Sequence, residues 1–356
     1  MTRSIEMKEF EAEKIGSATS PLGLSRKVLV NDGSASPLAG DVVLVKALSE
    51  SVTYGNLELA NGRLAKINKG DLLVGVLGSR RALKGFVGDV PGSLKKGDRL
   101  HLLNMGGVIG ICTGHHSSLD DAIEVEVVGP VCDEFGIGLN ISEAALAPAE
   151  KLGINASLVF VAGTCMNSGK TVAATELIKQ ARSQGMRVCG AKLTGVACLR
   201  DTLNMQDHGA SVTASFLDCG LPSTAGGLDL SPVSKSILNY LDSFSPDIIV
   251  AELGDGIVGG YGVETILKDP EIMASVSSFV FCASDYVGLI GGNAVLNSLG
   301  IDIDVVAGSV TDSSMGEEFI QSQFGLKAGN ARRDGERLFS LLNIEPKVVP
   351  ITPAGV

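Results

Sequence analysis

Two textures divide this chain. Up to about residue 145 the apolar runs are short, at 42–46, 72–77, 99–103, 107–112 and 123–128, and Gly-Asp turns punctuate them at Gly40-Asp41, Gly70-Asp71 and Gly97-Asp98. Short strands at regular spacing with such turns predict a small all-β barrel or sandwich. No long amphipathic helix is legible there. From Ser157 onward, apolar strand-like runs at 157–162, 187–192, 247–252, 277–283 and 303–309 alternate with helical patterns at 171–184, 205–219, 232–243, 262–268, 291–299 and 314–323. That alternation predicts a doubly wound, mostly parallel α/β sheet covered by helices on both faces. Right-handed crossovers then bring the strand C-termini to one edge.

At the first of those strand ends the sequence runs Leu158-Val-Phe-Val-Ala-Gly163-Thr164-Cys165-Met166-Asn167-Ser168-Gly169-Lys170-Thr171, and a helical pattern follows at once. Strand, glycine-bounded loop, lysine, hydroxyl and helix in this order make a phosphate-binding P-loop. Loop N–H groups converge on an anion, and the helix adds the positive end of its dipole. Gly163, Thr164, Asn167, Ser168, Gly169, Lys170 and Thr171 are the expected nucleotide contacts. Lys170 would reach the outer phosphates and the Thr171 hydroxyl would ligate Mg²⁺. The common pattern has four residues between its glycines; Gly163 and Gly169 are separated by five, so Thr164 takes the first glycine position. The domains expected are a β-rich barrel or sandwich over 1–145, a linker over 146–156 containing Ala147-Pro148-Ala149, and a P-loop α/β domain over 157–356.

Other strand ends supply partners. Asp247-Ile-Ile-Val-Ala-Glu252 ends in a carboxylate that could serve Mg²⁺ beside the phosphates. Arg187-Val-Cys-Gly-Ala-Lys192 ends in a lysine able to offset charge on a transferring phosphoryl group. Asp201 and Asp207 are candidate metal or substrate groups, and His208 a candidate base. His115-His116 have no acid or Cys cluster at metal spacing and read as loop histidines. The glycine-rich stretch 254–262 carries Tyr261, expected at the tip of a lid that contacts ligand or a partner subunit.

With 356 residues the chain exceeds one typical core. Hydrophobic residues at 45% and charged ones at 19% suit a buried, soluble protein. A net charge of −11 and the absence of Trp argue against a nucleic-acid surface, which needs a basic face or stacking aromatics. The seven cysteines form no C-x-x-C pair, so free thiols in a reducing cytoplasm are expected. Neither a signal-peptide core at the N-terminus nor an apolar run long enough for a membrane span is present in the sequence.

Gly163-Thr-x-x-x-x-Gly169-Lys170-Thr171, a second strand ending in Lys192, and Glu252-Leu-Gly254-Asp-Gly256 resemble the dethiobiotin synthetase and cobyrinic acid amidotransferase group of P-loop proteins. The resemblance covers about 157–320; Leu193 stands where that group has proline. It implies Mg-ATP binding with Thr171, an acid near Asp201, and Glu252 around the metal, and a homodimer with substrate sites near the subunit boundary. A P-loop family associated with N-acylation of D-glutamate has similar loop spacing. The expected function is a Mg-ATP-dependent small-molecule enzyme of kinase or ligase type that activates a carboxylate by phosphoryl transfer. A nucleotide-gated regulatory or binding protein and a CoA-dependent N-acyltransferase of an amino acid remain open alternatives.

Overall fold

The computed structural model describes residues 7–31, 36–342 and 344, so the predicted domain ends at 1–6 and 345–356 lie outside the described residues. In the N-terminal domain Glu124–Cys132 pairs with Val42–Ala47, which pairs with Leu72–Leu77. Leu72–Leu77 runs parallel to Val108–His115, and Arg99–Leu102 joins that strand back to Glu124–Cys132. The circuit closes, which decides between the two predicted architectures in favour of a barrel. Successive strand side chains point to opposite faces. Val43, Val45, Leu100, Leu102 and Val125 therefore pack in one cluster, while Val42, Leu44, Val74, Val76 and Val108 pack in another. The second cluster also contains Ala197, Phe216 and Leu217 of the C-terminal domain. Val42–Ala47 and Leu72–Leu77 are buried on both faces and read as nearly continuous apolar runs, whereas Arg99–Leu102 and the start of Glu124–Cys132 alternate with polar residues.

Beyond the barrel, the far half of Val108–His115 pairs with Phe86–Asp89, which pairs with Arg80–Arg81. This arm carries Arg81 and His115 away from the barrel wall toward the second domain.

The C-terminal domain is a seven-stranded sheet. Its strands are β1 (Ser157–Gly163), β2 (Val188–Thr194), β3 (Val212–Ser215), β4 (Ile248–Leu253), β5 (Val276–Cys282), β6 (Val305–Ala307) and β7 (Lys327–Ala328). The spatial order is β3-β2-β4-β1-β5-β6-β7, every pair parallel. Helices α1 (Lys170–Ser183), α2 (Arg200–Asp207), α3 (Ser231–Asp242), α4 (Val263–Leu267), α5 (Pro270–Ser275), α6 (Tyr286–Ser298), α7 (Ser314–Phe324) and α8 (Gly335–Ser340) complete it. Separate apolar clusters bury the two faces of the sheet. Because β1 lies between β4 and β5, the loop after it opens at the switch in strand order, where ligands bind in such sheets. Among the described residues no helix is long and apolar enough to cross a membrane.

One expectation changes. The helix predicted over 205–219 is instead the end of α2, then β3, then a 3-10 turn at Phe216–Cys219. Gly209 at φ +108° stops the helix, and Val212 and Thr213, with β-branched side chains, pair with β2. The linker runs along α3 as a strap. Ala149, Gly153 and Ala156 donate main-chain N–H groups to Ser236 Oγ, Asn239 Oδ1 and Asp242 Oδ1 at 2.7, 2.9 and 2.9 Å, all on α3.

The domains are joined by buried polar contacts as well as apolar packing. Glu58 of the barrel is 1% exposed. It accepts from the Ser17 hydroxyl, from Leu199 N–H at 2.7 Å and from Cys198 Sγ at 3.2 Å. Asn104 Nδ2 donates to Ala197 O at 2.8 Å. Glu58→Ala strands the Ser17 hydroxyl and the Leu199 N–H, so it should lower stability by roughly 1–3 kcal/mol, read by equilibrium chemical denaturation.

Candidate functional site

β1 ends at Gly163, and the Thr164 N–H bonds Cys282 O at the end of β5 at 3.0 Å, which fixes where the loop departs. Asn167 at φ +66° and Gly169 at φ +100° both turn into the left-handed region within the loop. A backbone that turns this way gathers successive N–H groups around an anion. A Cβ on Gly169 would meet Gly308 Cα at 2.9 Å, so the loop and the segment after β6 approach as only glycine allows. α1 then starts at Lys170 with its N-terminus on the loop.

Lys170 is 5% exposed. Its ammonium donates to Cys165 O at 2.8 Å and to the main-chain carbonyl of Asp255. Burial lowers its pKa, partly offset by the Glu252 charge. Among the described residues this ammonium has no counter-anion of its own at bonding distance, and a phosphate would supply one. Burial pushes the thiol of neighbouring Cys282 up to about 12, so it stays protonated.

Next to the loop, Thr171 Oγ1 donates to Glu252 Oε1 at 3.0 Å. Lys192, at the end of β2, lies 2.7 Å from that same oxygen and 2.8 Å from Asp201 Oδ2. Burial disfavours the Lys192 charge, but the Asp201 and Glu252 carboxylates outweigh it and hold its pKa above the ordinary ammonium range. The Lys192 charge in turn lowers the pKa of Asp201 against the opposing effect of burial. Glu252 is 1% exposed, and its Oε2 is buried with no hydrogen-bond partner. A hydroxyl and a carboxylate with an unused oxygen fit Mg²⁺, which takes one or two protein ligands and keeps its waters and phosphates. No group of three or more His, Cys, Asp or Glu able to hold a metal occurs among the described residues. The donor set therefore suits a metal that arrives with phosphates, not a protein cage.

Two openings flank the loop. A shallow cleft on the α1 side is lined by Asn167, Gly169, Ser309, Asp312, Asn330 and Arg332. On the other side a cavity of about 700 Å³ separates the domains. Arg81, Leu83, His115 and His116 form its barrel wall; Thr164, Cys165, Asp255 and Val258 form the wall from the P-loop domain.

The structure thus assembles Gly163, Thr164, Asn167, Ser168, Gly169, Lys170, Thr171, Lys192, Asp201 and Glu252 around one strand edge. It does not bring His208 or Asp207 there. They follow Asp201 by seven and six residues along α2 and its cap, about 10 Å at 1.5 Å per residue. His208 Nδ1 bonds Asn204 O at 2.8 Å, so the ring caps the helix end instead of facing the loop. Tyr261 is not a lid tip. It is 3% exposed, its hydroxyl accepts from Arg81 N–H at 3.1 Å, and its carbonyl accepts from Thr224 Oγ1 at 2.9 Å. Its side chain is buried between the domains. The histidine pair read as plain loop residues lines the interdomain cavity, and Asp255 joins it there. The spacing Glu252-x-x-Asp255 was the available signal for Asp255, since Glu252 lies at the end of β4 and Asp255 two residues beyond it.

No family model matches the chain, and no curated protein matches it. Among solved structures it is similar to the signal recognition particle receptor FtsY from Elizabethkingia anophelis, with 13% identity, 57% of this chain and 70% of that chain covered, and a TM-score of 0.36. A DUF1611 family protein from Anabaena variabilis shows 11% identity over 56% of this chain and 63% of its own, with a TM-score of 0.40. A ParA family ATPase from Chlorobium tepidum shows 13% identity over 54% and 94%, with a TM-score of 0.32. Similarities this distant leave nucleotide and substrate to be argued from the site itself.

Lys192→Ala removes the cation between the buried Glu252 and the partly exposed Asp201 and should cost roughly 1.5–3 kcal/mol at neutral pH. Asp201 has a folded pKa below its ordinary 3.8, so the pairing stabilises the protein above that value and is lost as pH falls through the lowered one. The gap between wild type and variant should accordingly narrow below about pH 4 in denaturation curves taken across pH.

Proposed function

We propose that the protein binds a Mg-nucleoside triphosphate, ATP in the first instance, and transfers its terminal phosphoryl group to a small molecule held between the domains. The observation that supports this most is the P-loop with its buried Lys170, placed between a shallow cleft and a large interdomain cavity. A nucleotide lying across the loop would direct its base toward the cleft and its outer phosphates toward the cavity. Lys170 neutralises those phosphates, and the loop N–H groups orient them. Thr171 and Glu252 would hold Mg²⁺, which supplies charge neutralisation to the phosphates. Lys192 stands at the same strand edge to stabilise charge on the transferring group. Kinases and ligases share this step, as in the dethiobiotin synthetase-like reading of the sequence; they differ in the acceptor.

Lys170→Ala removes a charged donor to phosphate worth about 1.5–3 kcal/mol, so ATP should bind roughly 10- to 100-fold more weakly by calorimetry. Unchanged affinity would refute the site. Thermal-shift titrations with Mg-ATP, Mg-GTP and acetyl-CoA rank the nucleotide; a large shift with acetyl-CoA and none with either nucleotide would replace phosphoryl transfer by acyl transfer.

A further inference from the structure

Three carboxylates lie at the strand edge, and one is built differently. Asp201 and Glu252 are both held by Lys192. Asp255 is not: the lysine that touches this residue, Lys170, donates to its main-chain carbonyl and leaves the carboxylate free of that bond. Its Oδ1 is buried without a hydrogen-bond partner. The residue lines the interdomain cavity beside Thr164 and Cys165, where the loop meets that space. The next residue, Gly256, packs closely on the loop: a Cβ at that position would meet Thr164 O at 2.4 Å.

The rest of the cavity indicates what would enter it. Leu83 from the barrel arm and Val258 from the glycine-rich loop are 69% and 70% exposed, and both line this space from opposite domains. His116 Nδ1 lies 2.8 Å from Ser118 Oγ and 3.2 Å from Ser118 N–H. An apolar body between Leu83 and Val258 with a polar end at Asp255 satisfies both features. A carboxylate acceptor would set like charge against Asp255, whereas a hydroxyl would donate to it.

We propose that Asp255 is the general base of a phosphoryl transfer whose acceptor is the hydroxyl of a small, partly apolar alcohol seated in the interdomain cavity. The inference rests on nucleotide binding at the P-loop. The acceptor O–H proton passes to the Asp255 carboxylate as the oxygen's electron pair forms a bond to the terminal phosphorus. The bond from that phosphorus to the bridging oxygen breaks, and its electron pair leaves with the nucleoside diphosphate. The product is a phosphate monoester, and Asp255 later gives its proton to solvent. The barrel becomes part of the active site, since its arm forms one wall of the acceptor pocket.

The test uses the full chain with Mg-ATP, and water and 1,3-propanediol as surrogate acceptors, with products followed by ³¹P NMR. Wild type should turn over above Lys170→Ala. Asp255→Asn should fall by roughly 10²- to 10⁴-fold, the usual range for a general base, while its ATP affinity, measured by calorimetry, stays unchanged. In Asp255→Ala, added formate should restore part of the rate by occupying the vacated carboxylate position, an effect a merely structural role would not produce. Wild-type turnover by Asp255→Asn, absence of formate rescue, or a wild type that binds ATP but does not exceed Lys170→Ala would overturn the assignment. A wild type that binds no nucleotide would remove the P-loop reading beneath it, an outcome calorimetry separates from the others.

Discussion

Lys192 sits between Asp201 and Glu252, and the geometry of the site depends on that arrangement. One ammonium ties the end of β2 to the first turn of α2 and to the end of β4, and through Glu252 Oε1 it also reaches Thr171 at the start of α1. Buried charges are tolerated only in company, and here one ammonium is shared by two carboxylates. Four separate elements therefore share a single electrostatic solution. A shift of β2 or β4 would part the buried Glu252 from its cation.

The barrel contributes to the same arrangement from outside. Glu58 accepts the Leu199 N–H immediately before α2, so a residue of the first domain sets where that helix begins and hence where Asp201 stands. Arg81 N–H fixes the Tyr261 hydroxyl, which anchors the far end of the glycine-rich loop that starts at Gly254. The two domains meet through buried groups at both flanks of the cavity, and the P-loop faces the space between those flanks.

Much of this was legible in the sequence, for physical reasons that differ from element to element. β1, the P-loop and α1 announce themselves because an apolar run, obligatory glycines and a helical period occur in contiguous order. Lys192 and Glu252 were legible because strand ends in a parallel sheet converge on one edge. The barrel was legible only as a texture: its closure depends on Arg99–Leu102 pairing on both sides, which no local pattern encodes. His208 and Asp207 misled because helix phase and length, not proximity in sequence, decide which end of α2 meets the loop. Tyr261 misled because glycines on both sides suggest mobility, while burial against Arg81 is a long-range outcome. Asp255 and the histidine pair acquire meaning only once the arm from the barrel is folded over the loop.

The outward face of the barrel has a consequence for synthesis. Val42, Leu44, Val74, Val76 and Val108 are covered by Ala197, Phe216 and Leu217, residues translated long after the last barrel strand ends at Cys132. A ribosome adding roughly 5–20 residues per second needs several seconds to bridge that interval. During it, a finished barrel covers that face only with its own segments, such as Ala18, Val28 and Ile141, and leaves the part under Phe216 and Leu217 open. Its second half acts as a delayed cover for the first, and the interval is when this chain most needs a chaperone.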